Sequence, residues 1–466
     1  MNKRLALKRT VSFVTALLIL CSLTISLFSC GDPVTKDDLV GNIASTVEND
    51  RYNYDYVTLY LYDWQFPSFD TKKLSWVEQK FIQYYNVKEG MPETLDHAVM
   101  TAEKFLEKYY DTIDLLDVTA VTDALITSYI EVIGDPYSLY RTPDESADFS
   151  QSMSGHFGGI GVAVEYDHVN NTVLVISVTD GGPAHGAGIL PGDYIVGADG
   201  NRIEDVGYDH MLDYVRGIIG TEVTITVKRG EAEHSYTMVR TAIENQSVQY
   251  AVTEDNIGYI RITQFDDSTI NQFKEAVDAI EEAGAKGVVF DLRNNHGGAV
   301  NSVVAVMSYI LPTGKTILSY QYKNQPEKVL KAHNDGINEE TGEVIDHILD
   351  IPMTVVCNQY TASAAEIFTS VIRDYRNEGL IDAVIVGKNT YKKGVVQTTF
   401  AYYEDDTLIS ITTAYYQPPS GENYHGIGIA PDVDVSLPEL KEGETYVEDT
   451  QLAAALEELD KLINDN

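Results

Sequence analysis

Residues 357–397 read CNQYTASAAEIFTSVIRDYRNEGLIDAVIVGKNTYKKGVVQ, and the reading of this stretch decides the architecture. An apolar run, residues 351–357, enters it and gives way to small and polar residues. Ser363 then opens a helical pattern that lasts to Arg376, and an apolar strand follows at 383–386. Lys393 comes next, with Gln397 four residues on. A serine at a strand-to-helix junction and a lysine on a nearby strand have the makings of a nucleophile and its base. On a strand alternate residues share a face, so Lys393 and Gln397 are expected to point one way and Lys392 the other. Ser363 suits a helix N-cap as well, and Glu366 reads as a structural first-turn acid. Asp374 lies close to the Ser363 face of the helix but three turns away, so it is expected to support the fold or the lysine. Cys357 reads as a small buried hydrophobe.

Working upstream, strands alternate with helices: a strand at 257–262, an amphipathic helix at 267–283, a buried-type strand at 287–292 and a helix at 300–310. This pattern predicts parallel pairing in an α/β core over residues 243–437. The strand at 287–292 runs into Asp291-Leu292-Arg293-Asn294-Asn295-His296-Gly297-Gly298. The N–H of Ala364, with that of Gly297 or Gly298, can form an oxyanion hole, and glycine permits the close approach this needs. Residues 438–466 end in a short acidic amphipathic helix.

Before the core, residues 151–242 change character. Short strands alternate with glycine turns, as in GHFGGIGV at 155–162 and GGPAHGAGILPGDYIVGADGNRI at 181–203. This small barrel-like pattern with one or two helices resembles a PDZ domain. Gly159, Ile160, Gly161 and Val162 stand where PDZ domains carry their carboxylate-binding loop, a nest of backbone N–H groups. A dinucleotide loop is excluded because these glycines open a strand, not a helix. Residues 51–150 form an N-terminal region, aromatic at first and helical from 94 to 133, closed by Gly134-Asp135-Pro136.

The start of the chain predicts a location. Lys3, Arg4, Lys8 and Arg9 precede an apolar segment that ends at Ser29-Cys30. This looks like a bacterial lipoprotein signal over residues 1–29, with Cys30 carrying lipid and residues 30–50 a tether. An uncleaved membrane helix is the alternative. Either way the expectation is an exported protein anchored on the extracytoplasmic side of a bacterial envelope. With 33 Lys and Arg against 71 Asp and Glu, the net charge is -38, which excludes wrapping a nucleic-acid backbone. In the mature chain Cys357 would stand alone, so no intrachain disulfide is expected.

The succession of segments is similar to that of the carboxyl-terminal processing peptidases, or tail-specific proteases. The matching pieces are Gly134-Asp135-Pro136-Tyr137-Ser138, the PDZ region, residues 291–298, Thr361-Ala362-Ser363-Ala364-Ala365-Glu366, Lys393-Gly394-Val395-Val396-Gln397, and the late GIGIAPD at 426–432. The resemblance implies a multidomain α/β serine endopeptidase that takes protein substrates by their free C-terminal tails. It also implies Ser363 as nucleophile, Lys393 as general base, Gln397 holding the lysine, and Asp374 as a supporting acid. No cofactor is implied, and neither H-E-x-x-H nor paired zinc-type cysteines occur. Lys392 replaces the family's usual glycine and His296 its usual proline. These departures keep open a binding protein of the same fold with weak or no turnover. A Ser–His hydrolase would instead use His296 or His425.

Overall fold

The structure, a computed structural model, describes residues 34–49, 54–87, 90–167, 172–333, 347–438 and 448–465. The expected signal at 1–29 and its Cys30 lie outside the described residues. The chain divides into two compact units, Met1–Ser75 with Pro92–Ile133, and Trp76–Met91 with Gly134–Asn466.

The first unit is helical. Its elements are α1 (Lys36–Asn49), α2 (Val57–Asp63), the start of α3 (Thr71–Tyr84), α4 (Thr94–Lys108) and α5 (Val118–Ile133). The aromatic residues, whose spacing gave no period, form its core: Tyr60, Trp64 and Phe105 are almost wholly buried. His97 stacks on Tyr129 with centroids 4.1 Å apart, and burial pushes its imidazole down to about 4. The expected tether at 30–50 is corrected over its described part, because α1 packs rather than dangles. Leu39 and Ile43 are buried, and Trp64 Nε1 donates to Thr46 Oγ1 at 2.8 Å. Acidic residues obscured this i, i+4, i+7 stripe in the sequence. The start signal was present in Thr35, whose Oγ1 accepts from Asp38 N while its own N–H donates to Asp38 Oδ2.

The second unit begins with β1 (Leu139–Arg141) and α6 (Pro143–Met153), the latter opened by a Thr142–Glu145 capping box. There follow β2 (His156–Gly159), β3 (Val162–Asp167), β4 (Thr172–Val178), α7 (Pro183–Ala187), β5 (Tyr194–Ala198), β6 (Asn201–Arg202), α8 (Ile203–Val215), β7 (Glu222–Arg229), β8 (Ala232–Val239) and β9 (Thr241–Glu244). Strands β3-β4-β5-β7-β8 form one antiparallel sheet with β6 on β5, and β3 lies at its edge. β2 and β9 form a separate two-stranded ribbon.

The core adds β10 (Val248–Val252), β11 (Ile257–Ile262), α9 (Thr269–Glu282), β12 (Gly287–Asp291), α10 (Val300–Ser308), β13 (Thr316–Tyr320), β14 (Lys328–Lys331), β15 (Met353–Cys357), α11 (Ala364–Asn377), β16 (Ala383–Gly387), β17 (Val395–Ala401), β18 (Leu408–Gln417), β19 (Val433–Asp434) and α12 (Thr450–Asp465). The main sheet runs β10-β11-β12-β15-β16-β19, parallel except at β10. Its central strands, GVVFD and MTVVC, are buried at every position, as a sheet covered on both faces requires. Phe273, Val303 and Phe368 of α9, α10 and α11 share the main core cluster, while Ala455 and Leu459 of α12 pack with Val289, Val356 and Val386. Full burial of a Leu459-sized side chain contributes about 1.5–3 kcal/mol. A second sheet, β1-β18-β13-β14 with β17 on β18, stands beside the first.

The span 51–150, read from the sequence as one region, is divided by the structure. Trp76 and Tyr84 of α3 pack on Tyr402 and Phe400, and β1 pairs with β18.

Candidate active site

The parallel sheet brings the loops after β12 and β15 side by side, where crevices form at the carboxyl ends of strands. The two loops are stitched together. Ala362 N donates to Asn295 O at 2.9 Å, Thr361 Oγ1 to Leu292 O at 2.9 Å, and Asn294 N to Asn358 Oδ1 at 3.1 Å. Ser363 then sits at the N-cap of α11 with φ 55° and ψ -116°, a conformation an L-residue adopts only when its surroundings impose it. The positive end of α11 lies at its hydroxyl.

The clamp is Glu366, wholly buried. Its Oε2 accepts from Ser363 N at 3.0 Å and Lys393 N at 2.8 Å. Its Oε1 accepts from Lys392 N at 2.7 Å and Thr390 Oγ1 at 2.6 Å. One carboxylate therefore ties the segment carrying the serine to the segment carrying the lysine, a larger role than the first-turn acid read from sequence. Burial raises its pKa and the four hydrogen bonds oppose that rise. Glu366→Gln places an amide NH2 where two donors now point, at about 1–3 kcal/mol for each donor left unsatisfied. The expected outcome is a fall of about 10–100-fold in kcat/KM with a lower urea midpoint, read by peptide cleavage and denaturant titration. Wild-type values in both would remove the clamp from the account.

Ser363, Lys393 and Gln397 line one pocket of about 470 Å3, together with His296, Gly298, Arg141 and Tyr416. Lys393 Nζ lies 5.2 Å from the centre of the Tyr137 ring. Desolvation lowers its pKa from the usual 10.5, aided by the Arg141 charge and opposed by Asp135 and Glu366. The neutral amine a general base needs is thereby favoured. Tyr416 is buried against the serine. Burial raises its phenol, and a hydrogen bond with the Ser363 side chain opposes that.

Three expectations are corrected. Lys393 is not on a strand: β17 starts at Val395, and Lys392 has φ 83°, so strand alternation does not relate Lys393 to Gln397. Gln397 does not hold the lysine among the described residues. Its Nε2 donates to Thr412 Oγ1 at 3.3 Å, beside a bulge that shifts the β17–β18 register. Gly297 is unsuited as an oxyanion donor because its N–H is spent on Asn295 Oδ1 at 2.8 Å. The N–H groups of Gly298 and Ala364 have no partner among the described residues. Gly297 serves close approach instead, since a Cβ there would lie 2.7 Å from Ala362 O and 2.8 Å from Ser363 Cβ. Asn295, which orients Gly297 and donates to Ile262 O at 2.9 Å, carried no sequence signal beyond a turn-prone residue.

Asp374 supports the fold, not the lysine. It accepts from Ser420 N at 2.9 Å and Arg373 Nε at 2.8 Å. His425 accepts from Gly394 N at 3.3 Å through Nδ1 and packs against Tyr137 and Tyr415. His296 is exposed at the pocket and meets Tyr360 edge-on at 6.4 Å. Neither histidine bonds Ser363 among the described residues, so the Ser–His alternative has no geometric support. Cys357 is buried as expected, its thiol pushed up to about 12.

In the smaller domain, Ile160 O accepts from Ala184 N and Gly161 O from Thr179 N, both at 2.9 Å. The second bond makes Val162–Val178 a non-hydrogen-bonded pair, so the Val162 N–H faces the open edge of β3. Gly161 has φ 76°, within glycine's range, and Gly159 ends β2. Among the described residues no helix is long and apolar enough to cross a membrane.

Residues 158–238 match the PDZ domain and residues 256–435 match Peptidase family S41, so the chain carries a PDZ domain and a serine peptidase domain of family S41. A probable CtpA-like serine protease of Staphylococcus haemolyticus (strain JCSC1435) is 33% identical over 319 residues, 68% of this chain and 61% of that protein. The corresponding protein of Staphylococcus aureus (strain COL) is 34% identical over 322 residues, 69% of this chain and 61% of that protein. The chain thus spans about three fifths of the length of the curated relatives it matches. Among solved structures, the photosystem II D1 C-terminal processing protease is similar with a TM-score of 0.43 and 24% identity, over 78% of this chain and 92% of that one.

Proposed function

We propose that the protein is an endopeptidase that cleaves exported proteins, using Ser363 as nucleophile and Lys393 as general base. The observation that carries this reading is one pocket lined by both residues, whose backbone segments Glu366 clamps together. Neutral Lys393 takes the hydroxyl proton as Oγ bonds to the carbonyl carbon, and the N–H groups of Gly298 and Ala364 receive the oxyanion. The lysine returns the proton to the leaving amine as the C–N bond breaks. Water then attacks the ester carbonyl as it gives a proton to Lys393, and the lysine passes that proton to Oγ as the acyl C–Oγ bond breaks, which restores the serine and the neutral amine. An apolar C-terminal tail adds as a strand on the open edge of β3, its carboxylate held in the loop Gly159–Val162.

The test incubates the soluble form, from about Asp32, with an unfolded protein carrying an apolar tail. New termini are expected from wild type. Ser363→Ala is expected to bind the tail and cleave nothing. Cleavage by Ser363→Ala at the wild-type rate would sink the mechanism, and tail binding without any cleavage by wild type would leave a binding protein of peptidase fold.

The basic start and Ser29-Cys30 support lipid attachment at Cys30 and an extracytoplasmic location. Labelled fatty acid should enter the full-length chain in cells and be lost in Cys30→Ser; equal labelling of both would refute it.

A further inference from the structure

The catalytic pocket contains a second cation that takes no part in the proposed proton transfers, although its charge helps keep Lys393 neutral. Arg141, on β1, lines the same pocket as Ser363 and Lys393. Its guanidinium lies 4.0 Å from the centre of the Phe149 ring, and its Nη1 donates to Ser410 Oγ at 2.8 Å. These two contacts hold the group in place and leave most of its five donors unassigned.

With Arg216 and Arg261, Arg141 is one of three described arginines in no ion pair with a carboxylate, and of the three it alone lines this pocket. Nine arginines fall among the described residues, and six of them pair with carboxylates: Arg202, Arg229, Arg240, Arg293, Arg373 and Arg376. Arg141 pairs with none among the described residues, in a chain of net charge -38 where carboxylates abound. The acid nearest in sequence, Glu145, is committed to Thr142 N and Oγ1 at 2.8 and 3.0 Å. Burial disfavours the charged guanidinium, and the Glu145 charge, which forms no ion pair with it among the described residues, offsets this only in part. A half-buried, oriented, unpaired arginine on the wall of a pocket is a receptor for a planar anion, and its fork matches a carboxylate.

We infer that Arg141 binds a carboxylate of the peptide substrate, either an acidic side chain near the scissile bond or the free C-terminus, in the pocket where Ser363 and Lys393 act. The inference rests on the peptidase reading for its substrate class. It makes the pocket selective for charge, in addition to whatever the PDZ loop selects.

Two peptide pairs separate the sources. The first compares Glu with Gln at the positions flanking the cleavage site, with amidated C-termini. The second compares a free with an amidated terminus, with Gln throughout. Wild type is expected to favour the carboxylate member of one pair by about ten-fold or more in kcat/KM, as a charge-assisted hydrogen bond would. The pair that shows the preference identifies the source. Arg141→Met should erase the preference and Arg141→Lys retain part of it. The ratio is the reading to use, because loss of the Arg141 charge also changes Lys393 and so slows both members together.

Equal rates within both pairs for wild type overturn the inference. So does a preference that survives in Arg141→Met, which would place the carboxylate elsewhere. Ser363→Ala, titrated with the same peptides by calorimetry, gives a reading without turnover. Carboxylate-selective binding with no cleavage by wild type overturns the peptidase reading and leaves Arg141 in its role. Cleavage without selectivity does the reverse, and absence of carboxylate-selective binding in both pairs overturns the Arg141 role.

Discussion

Lys393→Met is expected to lower kcat/KM by about 1,000-fold or more and to make the protein more stable at neutral pH. The loss of rate follows from removing the base, since methionine fills the space without accepting a proton. The gain in stability follows from the direction of the pKa shift. Desolvation lowers the Lys393 pKa in the folded chain below the 10.5 of the free side chain. Between the two values the unfolded chain holds a proton that the folded chain lacks, so falling pH favours unfolding through that window. The penalty is absent above 10.5, grows as pH falls below it, and is complete once pH lies under the folded pKa. Methionine removes it. Urea midpoints at pH 7 should therefore rise in the variant, and the gain should shrink as pH approaches 10.5 and beyond. The wild-type kcat/KM profile should rise with pH on its acid limb with a midpoint below 10.5. A variant less stable at pH 7 would show that the site welcomes the charge, and activity within ten-fold of wild type would remove Lys393 from the mechanism.

Gly298→Ala is expected to reduce kcat by about 100–1,000-fold while weakening the fold. A Cβ at this position would lie 2.0 Å from Phe265 O and 2.8 Å from Phe265 C, both backbone atoms that cannot step aside singly. Gly298 also has φ 140°, where an L side chain is strained. The loop must shift, and with it the N–H proposed to receive the oxyanion; loss of such a donor costs about 100–1,000-fold. Overpacking adds about 1–3 kcal/mol of destabilisation. Gly186→Ala is the control, because a Cβ there meets nothing within 4 Å. Single-turnover rates and denaturation midpoints for the two variants decide the matter. If Gly298→Ala behaves like Gly186→Ala in both, neither the close approach nor the oxyanion role stands.

Much of this site was visible in the chain's text. The strand-to-helix junction at Ser363, the glycines after β12 and the turn chemistry of the PDZ region are local patterns, and local patterns are what hydrophobic period and special backbone angles encode. The order β11, α9, β12, α10, β15, α11, β16 followed for the same reason, whereas β13 and β14 between α10 and β15 were not read. The first unit was less legible. Its aromatic residues face a core made by several short helices, so no single period appears, and the apolar stripe of α1 lay under a run of acidic residues.

Which groups touch was a different matter. By itself the sequence determined the class of fold and the PDZ module, and it pointed to the serine and lysine proposed as nucleophile and base. Only the tertiary structure decided that Gly298 rather than Gly297 has a donor to give, and that Gln397 turns to Thr412. It alone showed that Glu366 binds Ser363 to a segment 27 residues further on, and that Arg141 shares their pocket through a partner 269 residues away. The physical reason is that hydrogen-bond pairing and desolvation depend on neighbours supplied by distant parts of the chain. Helical period, strand alternation and turn geometry depend on the few residues at hand.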